Sequence, residues 1–176
     1  MKHSYWMITL VLLIMSIIAV DAVVSLNSPR ASAPSITKTK TTTGSLTVYY
    51  IAIDDNGKSG SVVGCGDSAV AVKTADITTD NVVKATFDNL LSNHSQYYGE
   101  SGLYNVLYNS NLSFVSSSVA GNTVTIKLSG SLSLAGVCDN PRVQAELEMT
   151  AISAAKVGKA SVYINDKPLS EVLSLK

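Results

Sequence analysis

The chain has 176 residues and sets 13 Lys and Arg against 13 Asp and Glu, so no net field steers it to nucleic acid or anionic lipid. Hydrophobic residues make up 46% and charged residues 15%, which supplies a core and excludes a chain too polar to fold. Histidine occurs only as His3, ahead of an apolar run, and His94, so a folded part has one imidazole for any metal site or general base.

Lys2 and His3 precede an apolar run over residues 5–24, interrupted by Thr9, Ser16 and Asp21. A positive start and an apolar core suit a secretory signal, with small residues around Ala22 for cleavage. The same run, about twenty residues long, also suits an uncleaved anchor across a bilayer core roughly 30 Å thick, and Asp21 beside the cleavage site favours this reading. Residues 1–24 are thus a signal peptide or a signal anchor, and either places the domain outside the cytoplasm. No Cys follows the run before Cys65, so a lipidated N-terminal cysteine has no acceptor. Residues 25–45, rich in Ser, Thr, Pro, Ala and Lys, bury almost nothing and read as a flexible linker.

The remaining residues, 46–176, carry the fold. Leu46, Val48, Tyr50, Ile51 and Ile53 predict a strand over 46–53, ended by the turn cluster Asp54-Asp55-Asn56-Gly57. After a Gly- and Ser-rich loop, residues 69–72 predict a short second strand. Thr78, Thr79 and Asp80 offer caps for a helix over 80–92, whose stripe is Val83, Phe87, Leu90 and Leu91. Leu112, Phe114 and Val119, the turn residues Gly121-Asn122, then Val124, Ile126 and Leu128 alternating with Thr123, Thr125 and Lys127, predict a hairpin. Asn140-Pro141 opens a second helix with buried Val143, Leu147, Thr150, Ala151 and Ala154, while Arg142, Glu146 and Glu148 lie off its centre. Residues 160–164 form a last strand before the turn Asn165-Asp166-Lys167-Pro168. These elements predict a single α+β domain: a mainly antiparallel sheet of about four to five strands with two helices on one face.

Few residues carry chemistry. Cys65 and Cys138 stand in Gly-containing loops, and outside the cytoplasm two cysteines tend to pair. Closing a loop of about seventy residues stabilises by about 4 kcal/mol in the chain-entropy model. The alternatives are two free thiols, a Cys/Asp/His metal site, or a thiolate nucleophile at Cys138 or Cys65 with His94 as base, the mark of a small cysteine hydrolase. Asp54, Asp55, Asn56 and Asp67 match no calcium-loop spacing and read as a solvated turn. Tyr97, Tyr98, Tyr104 and Tyr108 gather around Gly99 and Gly102, either as an exposed recognition patch for glycan or protein or as a lid on the core. No catalytic or metal residues and no cofactor are assigned.

The opening Leu46-Thr47-Val48-Tyr49-Tyr50, the hairpin around Gly121-Asn122, the helix from Val143, and the ending Val157-Gly158-Lys159-Ala160-Ser161-Val162-Tyr163-Ile164-Asn165-Asp166-Lys167-Pro168 together resemble a GerMN domain, the sporulation and spore germination module of bacterial envelope proteins. In that family the last turn reads Asn/Asp-Gly-Lys-Pro, and here Asp166 replaces the Gly. The resemblance covers about residues 46–170. It implies a fold similar to ring-building-motif domains and a non-catalytic role in protein–protein or cell-wall association. The implied partners are an envelope protein, peptidoglycan or further copies of the chain, with the membrane reached through the N-terminal segment if it is uncleaved and no nucleic acid. The alternative is an envelope cysteine hydrolase or a ligand-binding or inhibitor domain.

Overall fold

The computed structural model describes residues 41–174. The described residues all belong to one compact unit. The expected signal or anchor over 1–24 lies outside the described residues, as does the linker expected over 25–45 up to residue 40; its last residues, from Thr42 to Ser45, are strand instead.

Strand β1 spans Thr42–Ala52, starting four residues before the expected position. Thr42 to Ser45 bury little, but they pair with Thr79 to Asp76 and so extend the ladder beyond the core. The partner, β3, runs from Asp67 to Thr79 where the sequence predicts only 69–72, because cross-strand pairing carries its polar half. Between them lie β2, Ser61–Val63, and a 3-10 turn at Gly64–Gly66.

Helix α1 spans Val82–Leu91, and its cap is Asn81 rather than the expected Thr78, Thr79 or Asp80. The Asn81 Oδ1 accepts the Lys84 backbone N–H at 2.9 Å, satisfying one of the orphan donors of the first turn. Two short strands follow, β4 at Tyr97–Tyr98 and β5 at Leu103–Tyr104. The expected hairpin is β6, Asn111–Ala120, and β7, Thr123–Ser131. Its two-residue loop places Gly121 at φ +57, the left-handed position that the first residue of a tight hairpin turn asks of glycine.

Helix α2 spans Asp139–Ala155, so Pro141 falls within the first turn, where a missing N–H removes no intrahelical bond. Strand β8, Lys159–Ile164, the two-residue β9, Lys167–Pro168, and helix α3, Leu169–Ser174, complete the chain.

The domain is α+β, and its strands divide between two sheets rather than joining in one. An antiparallel sheet has the order β2-β3-β1-β5-β4 and a mixed sheet the order β6-β7-β8-β9. The mixed sheet arises because α2 separates β7 from β8, and a helical crossover brings a strand back parallel to its predecessor, as Thr123↔Lys159 through Leu128↔Ile164 show. Helix α2 joins the two sheets into one core by packing against β1 on one side and β7 and β8 on the other. Val143, Leu147, Thr150 and Ala151 are buried as the stripe predicts, whereas Ala154 is half-buried. A fully buried Leu such as Leu147 contributes about 2 kcal/mol. Thr150 Oγ1 accepts the Tyr49 backbone N–H at 3.0 Å, so the helix also satisfies the edge of β1 that β5 leaves unpaired.

Glu146 lies off the centre of the stripe as expected, yet it is fully buried, with 0% exposure. Its position three residues after Val143 sits on the flank of that stripe, and the segment between β5 and β6 folds over this flank. The Val106 backbone N–H donates to Glu146 Oε2 at 3.1 Å, while Oε1 has no partner among the described residues.

Candidate functional site

Cys65 and Cys138 are joined in a disulfide across 73 residues of sequence, tying the turn before β3 to the start of α2. Each cysteine is followed closely by a buried aspartate, Asp67 and Asp139, and one guanidinium on α2 holds both. Arg142 Nε donates to Asp67 Oδ2 at 2.6 Å, and Arg142 Nη1 donates to Asp139 Oδ1 at 3.1 Å. The remaining oxygens are also engaged: Asp67 Oδ1 accepts the Asp54 N–H at 2.9 Å and Asp139 Oδ2 the Ala135 N–H at 2.7 Å. The staple is thus backed by a satisfied buried ion cluster.

Arg142 also connects this cluster to the tyrosines. Its Cζ lies 5.6 Å from the centroid of the Tyr104 ring, within cation–π range. Burial pushes the Tyr104 hydroxyl up to about 12, with the charge of Asp139 acting in the same direction. Around Tyr104 stand Tyr108, edge-on at 6.1 Å, and Tyr97 at 6.2 Å, while Tyr98 stacks on Tyr50 at 4.7 Å. The sequence groups Tyr97, Tyr98, Tyr104 and Tyr108 together, and the structure divides them. Tyr104 is 6% exposed and belongs to the core, Tyr98 and Tyr108 are half-buried, and Tyr97 alone is exposed, at 50%. The four tyrosines thus form no single surface patch: Tyr104 is withdrawn into the core, because the β4–β5 hairpin pairs it with Ile51 of β1, while the other three keep part or half of their surface open.

Neither cysteine retains a thiol for nucleophilic attack, and His94 is an exposed loop residue. The acidic loop is a hydrogen-bonded turn. Asp55 accepts from the Ser59 N–H at 2.6 Å, the Ser59 hydroxyl at 2.9 Å and the Ser68 hydroxyl at 2.7 Å. The Ser68 bond is the largest cause holding the Asp55 carboxyl below its ordinary range. Among the described residues no three His, Cys, Asp or Glu side chains converge as metal ligands would.

Sequence reasoning missed an open, uncharged cleft of about 360 Å³ beside the stacked tyrosines. Its walls come from the end of α1, the loop behind it, β4 and an irregularity in β3, and its lining includes Thr74, Asn89, Ser92, Asn93, Ser95 and Tyr98. The only signal in the sequence is the run of Asn and Ser directly after the helix.

The fold these elements define is GerMN-like: an α+β module whose helix-linked mixed sheet and antiparallel sheet share one core. Among solved structures it is similar to the tandem GerMN domains of the sporulation protein GerM from Bacillus subtilis, with a TM-score of 0.50, 20% identity and 78% of this chain covered. The match spans 43% of that longer chain. No family model matches the chain, and no curated protein matches it in sequence.

Proposed function

We propose that the chain is a non-catalytic binding module of the bacterial cell envelope. Its N-terminal segment tethers it to the membrane or exports it, and it acts outside the cytoplasm by association with an envelope protein, peptidoglycan or further copies of itself. The observation that carries this reading is the Cys65–Cys138 disulfide. It favours an oxidising compartment and removes the two side chains on which a cysteine hydrolase depends. The GerMN-like fold supports the same reading through its structural relative, a sporulation protein. For association with protein, the outer edge of β6 offers an unpaired strand among the described residues. It has no charged side chain and leaves Val115 at 57% and Val119 at 55% exposure.

The test is to fractionate cells making the full-length chain and alkylate it under denaturing conditions without reductant. The expected result is recovery outside the cytoplasm with both cysteines protected, as read by intact mass. Two alkylated thiols on a cytoplasmic protein would overturn the reading.

A further inference from the structure

The cleft beside Tyr98 is built, not incidental. Leu46 of β1 stands opposite both Thr74 and Ala75, because the register passes from Ser45↔Asp76 to Thr47↔Lys73. This is a β-bulge in β3, a device that bends a strand and re-aims its side chains, often beside a binding site. The bulge is fixed by Thr74 Oγ1, which accepts the Leu46 N–H at 3.0 Å, and it forms one wall of the cleft.

The opposite wall is preorganised by hydrogen bonds. Asn93 Nδ2 donates to the Tyr50 hydroxyl at 3.1 Å, and Asn93 Oδ1 accepts the Ser95 N–H at 3.1 Å. Buried Asn105 donates from Nδ2 to the carbonyls of Asn93 and Ser95 at 2.7 and 3.1 Å, clamping the loop. Tyr98 is held against Tyr50 with an interplanar angle of 24°. Against this fixed frame, the Asn89 amide, the Ser95 hydroxyl and the Tyr98 hydroxyl make no hydrogen bond among the described residues. They are available to a ligand.

We propose that this cleft binds a neutral saccharide, and in the envelope a segment of cell-wall glycan. The assignment rests on the binding-module reading and names its ligand class. Sugar hydroxyls both donate and accept, and amide and hydroxyl side chains answer both roles. The C–H face of a pyranose needs a flat apolar surface beside those polar groups, which a tyrosine supplies. A phosphorylated or carboxylated ligand would need a cation, and no charged side chain lines the cleft.

The test titrates the full-length chain in mild detergent with chitotetraose, followed by saturation-transfer NMR, and measures co-sedimentation with purified peptidoglycan. Saturable binding is expected to both. Tyr98→Ala and Asn89→Lys are each expected to weaken it at least about tenfold, whereas Tyr97→Ala, outside the cleft, leaves it within about twofold. Tyr98→Ala removes the stacking partner of Tyr50, so Asn89→Lys, at an exposed helix position, is the variant that decides if the first fails to fold. No saturable binding, or binding that Asn89→Lys leaves unchanged, overturns the proposal. The same failure with both cysteines protected on an exported chain removes the glycan and leaves the module; two free thiols remove the module reading itself.

Discussion

Arg142 Nε and Asp67 Oδ2 meet at 2.6 Å across 75 residues of sequence, two residues from Cys65 and four from Cys138. The disulfide and this ion pair therefore fasten the same two segments, one covalently and one electrostatically. The pair is buried: the Asp67 side chain is wholly enclosed and Arg142 is 16% exposed. Burial works against the charge on Arg142, but its hydrogen bonds to Asp67 and Asp139 outweigh that and raise its pKa.

Removing the guanidinium leaves two enclosed carboxylates without their cation. Arg142→Leu is therefore expected to destabilise the domain by about 3–5 kcal/mol in urea unfolding with the disulfide intact. Arg142→Leu combined with Asp67→Asn and Asp139→Asn should recover part of that loss, since the uncompensated charges are gone. A loss below about 1 kcal/mol in the single variant would show that the cluster adds nothing to the disulfide beside it.

Glu146 gives the domain a pH dependence of its own. Burial raises its carboxyl well above the ordinary range, and the hydrogen bond from the Val106 N–H only partly opposes this. The unfolded chain ionises this group near pH 4.3, whereas the folded chain keeps the proton to higher pH. Its stabilising contribution is therefore full below the unfolded pKa and declines as pH rises towards the folded one. The Val106 amide bonds it, and its charge adds to the burial that raises the Tyr50 and Tyr104 hydroxyls. Glu146→Gln keeps the acceptor for Val106 and removes the titration. The variant should match the parent at pH 4 and exceed it at pH 8, because only the parent must there give up a buried proton or hold a buried charge. Thermal unfolding across that range checks it, and parallel curves for the two proteins would sink the idea.

What the sequence revealed, and what it hid, follows from which patterns are local. The β6–β7 hairpin was legible because alternation and Gly121-Asn122 act within a dozen residues, and the stripe of α2 was legible from Val143 to Ala151. The polar halves of β1 and β3 were not, since Thr42–Ser45 and Asp76–Thr79 become strands only by finding each other. The burial of Glu146 and Tyr104 was hidden for the same reason: each is enclosed by a segment distant in sequence. Of the candidate sites, the cysteine pair was legible as the favoured reading, because the chain has only two cysteines and two tend to pair outside the cytoplasm. The cleft was not, because its walls come from β3, α1 and β4 and no single segment encodes it.

The register of β6 makes a prediction about single backbone groups. Ala120 and Thr123 close the two-residue loop and so exchange both hydrogen bonds, and alternation gives Ser118 and Thr125 the same arrangement. Val119 then turns its N–H outward to the free edge, while Ser118 points its N–H into the ladder. Val119→Pro removes a donor that no strand uses among the described residues and is expected to cost less than about 1 kcal/mol, whereas Ser118→Pro breaks a ladder bond and should cost about 3 kcal/mol or more. If copies associate through this edge, Val119→Pro also abolishes the concentration-dependent dimer in sedimentation of the full-length chain, at unchanged fold. Equal destabilisation by both prolines would mean that the register is wrong. An unaffected dimer in a folded Val119→Pro chain would move self-association to another surface, since proline cannot donate to an added strand.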